Sequence, residues 1–181
     1  MIRVGGWLQT YSGKQFWPLS ACEDDIDIVD IAHALSLKCR FNGHCKFFYS
    51  VAEHSVRMSR EDLPGPPKHR LLHDAAEAYL PDIPRPIKQN IINFKEIEDS
   101  LLSVIFRKFG LCYDPGSEEH NLIKYSDDVM LATEQRDIMS KPPVPWGKLQ
   151  KPLEDKILPW DWYKAKAAFL HEAERLRIRF T

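Results

Sequence analysis

RLLHDAAEAYLPDIPRP, residues Arg70 to Pro86, places His73, Asp74, Glu77 and Asp82 within ten positions and carries three prolines at 81, 84 and 86. Around those polar groups the stretch is apolar, with Leu71, Leu72, Ala75, Ala76, Ala78 and Tyr79. A helix that turns such a face to a core needs either solvent or a partner for its His, Asp and Glu. In a helix starting near Lys68, His73 and Glu77 stand four apart and Asp74 and Glu77 three apart. The helical period therefore predicts all three on or near one face. Pro81, Pro84 and Pro86 predict the end of that helix and an irregular loop. The plainest reading is a solvated charged face, and a His-Asp pair alone carries little weight.

The flanking segments read as further helices. Upstream, SVAEHSVRMSR has Ser50 and Glu53 at the Ser-x-x-Glu spacing of a capping box, which predicts a helix from Val51. IVDIAHALS is helical in period, with Asp27 as N-cap. Residues 1–20 differ: LQTYSGKQFW predicts a small β-hairpin turning at Ser12-Gly13. Downstream, Asn93 to Phe109 is amphipathic and Gly110 is a natural stop. Asp114-Pro-Gly-Ser117 predicts a turn and cap before a long helix from about Glu118 to about Met139. The Pro-rich stretch over 141–160 predicts an irregular cover, being too long for an idle connection. WYKAKAAFLHEAERLRIRF predicts a closing amphipathic helix. The fold class expected is all-α: a single domain over 1–181, a bundle of about six helices with an N-terminal β element.

A chain of 181 residues with 44% hydrophobic and 28% charged residues has the balance of a globular domain. A net charge of −1 argues against a broad nucleic-acid-binding face, which needs a Lys/Arg excess. No stretch is long and apolar enough to cross a bilayer, and MIRVGGWLQ lacks the order of a signal peptide. A cytoplasmic protein with no membrane partner is expected. Cys22, Cys39, Cys45 and Cys112 show no Cys-x-x-Cys spacing and are expected as reduced, mostly buried thiols.

Two other segments change the weight of His73-Asp74. His54 lies 19 residues earlier and Asp127 lies 53 after Asp74, separations that suit neighbouring helices each turning a polar residue inward. Two imidazoles and two carboxylates form a mixed N/O set. Mn²⁺, Co²⁺, Fe²⁺ or Zn²⁺ suits it better than Mg²⁺, which favours oxygen shells.

The order His54 … His73-Asp74 … Asp127 resembles the HD-domain metal-dependent phosphohydrolases. RFNGHCKFFYSVAEHS, LLHDAAEAYLPDIPRPIK and YSDDVMLATEQRD resemble the bacterial and phage branch of 5′-deoxynucleotidases and dATP triphosphohydrolases, from roughly Asp30 to Asp137. The resemblance implies one divalent metal ion on His54, His73, Asp74 and Asp127. Asp127 is chosen over Asp128 because the family's ligand stands seven residues before the Glu of ATE, here Glu134. It implies Glu77 and Asp82 as catalytic acids, with Glu77 handling the attacking water, and Arg40 as a grip on substrate phosphate or sugar. Phe41 stands where the deoxynucleotidases carry tryptophan, which opens the sugar or base contact. The binuclear variant needs additional histidines between Asp74 and Asp127, where only His120 occurs, so one metal is expected.

The activity implied is hydrolysis of deoxynucleoside 5′-phosphates, mono- or triphosphate, by a metal-activated water. The partner is a small-molecule nucleotide, with no nucleic acid polymer; the family implies an oligomer. Lys88 could add positive charge, and Trp17 or Phe41 is the candidate for stacking on a base. His69 and His171 read as surface residues, and His33 as a core or helix-surface group. Two other classes compete: a non-catalytic metal-bound module that senses a nucleotide, and an all-α interaction protein with incidental acids.

Overall fold

Asp27 sets where the helices begin: its carboxylate accepts a hydrogen bond from the Val29 N–H at 2.9 Å, and α1 (Ile28–Leu37) follows. The computed structural model describes residues 2–178. Upstream, β1 (Leu8–Gln9) and β2 (Gln15–Phe16) form the expected antiparallel hairpin, Leu8 opposite Phe16 and Gln9 opposite Gln15. Downstream come α2 (Val51–Arg60), α3 (Pro67–Leu72), α4 (Arg85–Lys88), α5 (Phe94–Lys108), α6 (Glu118–Asp137) and α7 (Trp162–Arg175). The fold is all-α with an N-terminal hairpin. It has seven α-helices among the described residues, against the expected six or so.

The caps follow the sequence with one exception. Ser50 Oγ accepts from the Glu53 N–H at 3.1 Å and Ser117 Oγ from the His120 N–H at 3.1 Å, starting α2 and α6. The return half of the capping box is absent at α2. Glu53 turns instead to the Arg57 Nε–H at 2.8 Å and the Trp160 N–H at 2.8 Å. After α5, Gly110 adopts φ +70° and the Leu111 N–H reaches back to the Phe106 carbonyl at 2.8 Å, closing the helix.

The helix expected from Lys68 through Tyr79 is not continuous. α3 stops at Leu72, Asp74 leaves helical geometry (φ −101°, ψ 13°), and Ala75–Ala78 form a separate 3₁₀ turn. The cause is local competition for carbonyls. The His73 ring takes the Arg70 carbonyl at 2.7 Å, and the Glu77 N–H bonds the Asp74 carbonyl at 2.9 Å in place of His73's. The prolines also do more than end a helix: Pro84 caps the one-turn α4 and Pro86 lies in its first turn, where a missing N–H costs nothing.

The core lies where α1, α2, α3, the 75–78 turn, α5 and α7 meet. Ile31, Leu35, Leu71, Leu72, Ile105 and Phe169 are fully buried there, and Phe16 from the hairpin stacks on Tyr79 at 3.8 Å. A second apolar cluster, with Tyr49, Met58, Ile123, Met130, Ile138 and Ile157, joins α2 to α6 and to the 141–160 segment. That segment is irregular, as expected. It runs along α6, where the Leu153 N–H meets Thr133 Oγ1 at 3.0 Å and the Ile157 N–H meets Asp137 Oδ2 at 2.9 Å. It therefore covers this second cluster, and Trp146 approaches Phe41 with ring centroids 6.0 Å apart. All four cysteines are free; three are partly buried and Cys112 is exposed, so they are less buried than expected. Among the described residues no helix is long and apolar enough to cross a membrane.

Candidate metal centre

α2 buries its polar residues along with its apolar ones: Glu53, His54, Ser55 and Ser59 are at most 2% exposed. Each buried polar group then needs a partner. His54 finds one on α6, its Nδ1–H donating to Glu134 Oε1 at 2.5 Å. His73, just past the end of α3, donates its Nδ1–H to the Arg70 carbonyl at 2.7 Å. Both rings are thereby held with Nε2 facing inward, and the two Nε2 atoms stand 3.2 Å apart. Asp74 Oδ2 lies 3.1 Å from His73 Nε2 and 3.8 Å from His54 Nε2. One ligand atom from each of His54, His73 and Asp74 falls within 4.8 Å of the other two. Asp127 stands at the edge of this set, with Oδ1 3.4 Å from His54 Nε2. Among the described residues the Asp128 carboxylate pairs with Arg85 alone, at 3.0 Å, and does not reach the histidines, which favours Asp127 as the inward residue.

These residues fit a divalent cation. Two imidazole lone pairs 3.2 Å apart repel unless a positive charge lies between them. Second partners that orient each ring are what a metal-ligating His requires. A proton can serve in the cation's place. Burial and the Arg40 charge pull the His54 imidazole down, but Glu134 and Asp127 outweigh them and raise it to about 9. Burial pushes Asp74 up, yet His73, His54 and Arg40 hold it well below the usual carboxylate range. Asp127 is depressed likewise, through its hydrogen bond with His54 and the charges of His54, His73 and Arg40.

Arg40 comes from a turn whose next two residues, Phe41 and Asn42, take left-handed φ of 56° and 51°. Non-glycine residues hold that conformation at a cost of about 1–3 kcal/mol each, usually where a site demands it. The guanidinium lies 3.3 Å from Asp74 Oδ2, 3.2 Å from Glu134 Oε2 and 4.0 Å from Asp127 Oδ1. Arg40 thus contacts the carboxylates of the cluster itself. Glu77 is 7% exposed, and its Oε2 is buried without a hydrogen-bond partner. Burial, then the charges of Asp74 and Asp82, push its carboxyl well above the usual range. Asp82 is raised too, by burial and by Asp74.

A cavity of about 400 Å³ adjoins the cluster, lined by His73, Asp74 and Asp127 together with Arg85, Lys88 and Tyr113. Lys88 lines it while paired with Glu98 Oε1 at 2.6 Å. Arg85 spans Asp127 and Asp128, each at 3.0 Å. His69 and His120 also line the cavity. His69, expected at the surface, is partly buried, its side chain 15% exposed and its Nε2 2.7 Å from Glu119 Oε1.

Not every expected residue is brought here. Phe41 lies beside the Arg40 guanidinium, 5.5 Å from ring centroid to Cζ, but packs with the second apolar cluster and does not line the cavity. Trp17 lies apart, under the Arg3 guanidinium at 4.5 Å. Its neighbour Phe16 is fully buried in the core, whereas Trp17, just past β2, is half-buried. Glu134 has a role the sequence reading used only as a landmark. Its signal was present: it follows Asp127 by two helical turns, an acid on a face with Ile123 and Met130.

No family model matches the chain. The chain is 42% identical over 132 residues to the uncharacterized protein YfdR of Escherichia coli (strain K12), covering 73% of this chain and 72% of that protein. It is 34% identical over 144 residues to the uncharacterized protein RCAP_rcc00048 of Rhodobacter capsulatus, with the same coverage of 73% and 72%. By these similarities the chain belongs to the family that includes YfdR.

Proposed function

We propose that this protein is a metal-dependent phosphohydrolase of the HD-domain type that acts on deoxynucleoside 5′-phosphates. One observation carries the reading: His54, His73 and Asp74 converge within 4.8 Å, with both histidines oriented by a second hydrogen bond. His54, His73, Asp74 and Asp127 would hold a single divalent ion, with Mn²⁺, Co²⁺, Fe²⁺ or Zn²⁺ suiting the N/O set better than Mg²⁺. Such an ion, when bound, supplies Lewis acidity that makes water a better nucleophile and offsets charge on the phosphoryl group.

The chain's own residues carry the remaining tasks. Glu77 takes a proton from the attacking water; its unpartnered buried oxygen suits that role and has no use in a purely structural metal site. Asp82 helps to hold that water and the reacting phosphate. Arg40 and Lys88 offer positive charge to phosphate oxygens, Arg40 in a forked manner. The adjoining cavity receives the rest of a small nucleotide. Four free cysteines, two with sulfurs 3.4 Å apart, suit a reducing compartment such as the cytoplasm.

The test is direct. Metal-stripped protein is reloaded with Mn²⁺, Co²⁺, Fe²⁺, Zn²⁺ or Mg²⁺ and given ribo- and deoxynucleoside mono-, di- and triphosphates. Release of phosphate, pyrophosphate or tripolyphosphate that depends on a transition metal is the expected result. No release with any metal from any of these substrates overturns the reading.

A further inference from the structure

Lys38 follows α1 with extended backbone (φ −87°, ψ 117°), and Cys39 is extended as well (φ −81°, ψ 125°). Side chains 38 and 40 of such a segment leave on the same side. Arg40 uses that side to meet Asp74 and Glu134. Lys38 donates through its ammonium group to the backbone carbonyls of Glu77 and Leu80.

Those two carbonyls have a particular need. In a continuing helix each would accept from the residue four further on, which is Pro81 for Glu77 and Pro84 for Leu80. Proline has no N–H to give. The Leu80 N–H is already used by the Ala76 carbonyl at 3.0 Å. Pro81 and Pro84 therefore leave the turn that carries Glu77 and leads to Asp82 without those two donors, and Lys38 replaces both. Burial lowers the Lys38 ammonium, and the charges of Glu77 and Asp82 partly offset this.

We infer that Lys38 is a positioning residue: it caps the carbonyls of Glu77 and Leu80 and so fixes the turn that carries Glu77 and leads to Asp82. The geometric part stands by itself; the catalytic consequence rests on the hydrolase reading above.

The test uses the full, metal-loaded chain as Lys38→Met, Lys38→Gln and Lys38→Arg, with hydrogen-exchange mass spectrometry on the peptide around residues 74–84. In Lys38→Met, kcat falls about 10- to 100-fold, the cost of small misplacement of catalytic groups, with KM within about twofold. Bound metal is unchanged, exchange in that peptide speeds up, and Lys38→Arg restores both kcat and protection. A folded Lys38→Met protein with wild-type kcat and exchange overturns the inference. If the Met variant does not fold, the other two decide. Wild-type behaviour in Arg with lowered kcat and faster exchange in Gln supports the role, and wild-type behaviour in both overturns it. If the wild-type chain hydrolyses nothing, the functional reading falls, and the exchange comparison still decides whether Lys38 holds the turn.

Discussion

At the scale of single residues, the proposed function separates groups that would hold a metal from groups that would act beside it. His73→Ala or Asp74→Ala removes a ligand, so metal and turnover should be lost together. Glu77→Ala removes the unpartnered carboxyl and leaves the ligands intact. It should retain metal, measured by plasma mass spectrometry, and slow hydrolysis about 10²-fold or more. Full activity in that variant would falsify the role of Glu77. Glu134→Gln keeps the shape but weakens the acceptor for His54 Nδ1–H. Such a change at a ligand's own partner should lower metal affinity about 10- to 100-fold in a chelator competition titration. The convergence of His54, His73 and Asp74 was legible because the motif order drew residues from separate segments into one set, and these three do meet within 4.8 Å. The expected pairing of His73 with Glu77 along one helix was not, because a single His73 side chain captured a carbonyl that the helix needed. Trp17 is a candidate by its aromatic character alone, and the structure places it under Arg3, away from the cluster.

At the scale of elements, most boundaries follow from caps that the sequence displays, such as Asp27, Ser50, Ser117 and Gly110. What it hides is where buried charges find partners, because those lie far off in the chain. Arg70 is an example. It is 3% exposed and donates to the carbonyls of Leu63, Pro64, Ser59 and Glu61, tying α3 to the loop that leaves α2. Its own carbonyl orients His73. An Arg70→Met substitution keeps the stem and strands several carbonyls, each costing about 1–3 kcal/mol when left unpaired. Chemical denaturation should show a loss of about 3 kcal/mol or more. Metal affinity should fall as well, since the ring of His73 loses the fixed turn it hangs from. A stability within about 0.5 kcal/mol of wild type would show the loop to be held by other means.

At the scale of the whole molecule, the cluster should make stability depend on pH in a direction opposite to that of the proposed metal binding. His54 is raised from an ordinary value of 6.5 to about 9. A raised pKa stabilises the fold fully below the unfolded value and gives that up as pH climbs through the folded value. Glu77, also raised, acts in the same sense from its own ordinary value of 4.5 upward. Asp74 and Asp127 are depressed and act on the other side, so their contribution is lost only as pH falls below the ordinary 3.8. Metal-free protein should therefore be more stable near pH 6 than near pH 9, by about 3 kcal/mol from His54 alone. For a chain of 181 residues that is a drop in Tm of roughly 6–12 °C. Metal binding runs the other way, because the ion must displace the His54 proton. Its affinity should rise about tenfold per pH unit between about pH 7 and 9, with proton release visible by calorimetry in buffers of different ionisation enthalpy. Thermal melts in chelator and in Mn²⁺ across this range separate the two effects. The gap between the curves should widen steadily with pH, and a chelator curve that stays flat from about pH 6 to 9 would show that His54 carries no shared proton in the metal-free fold.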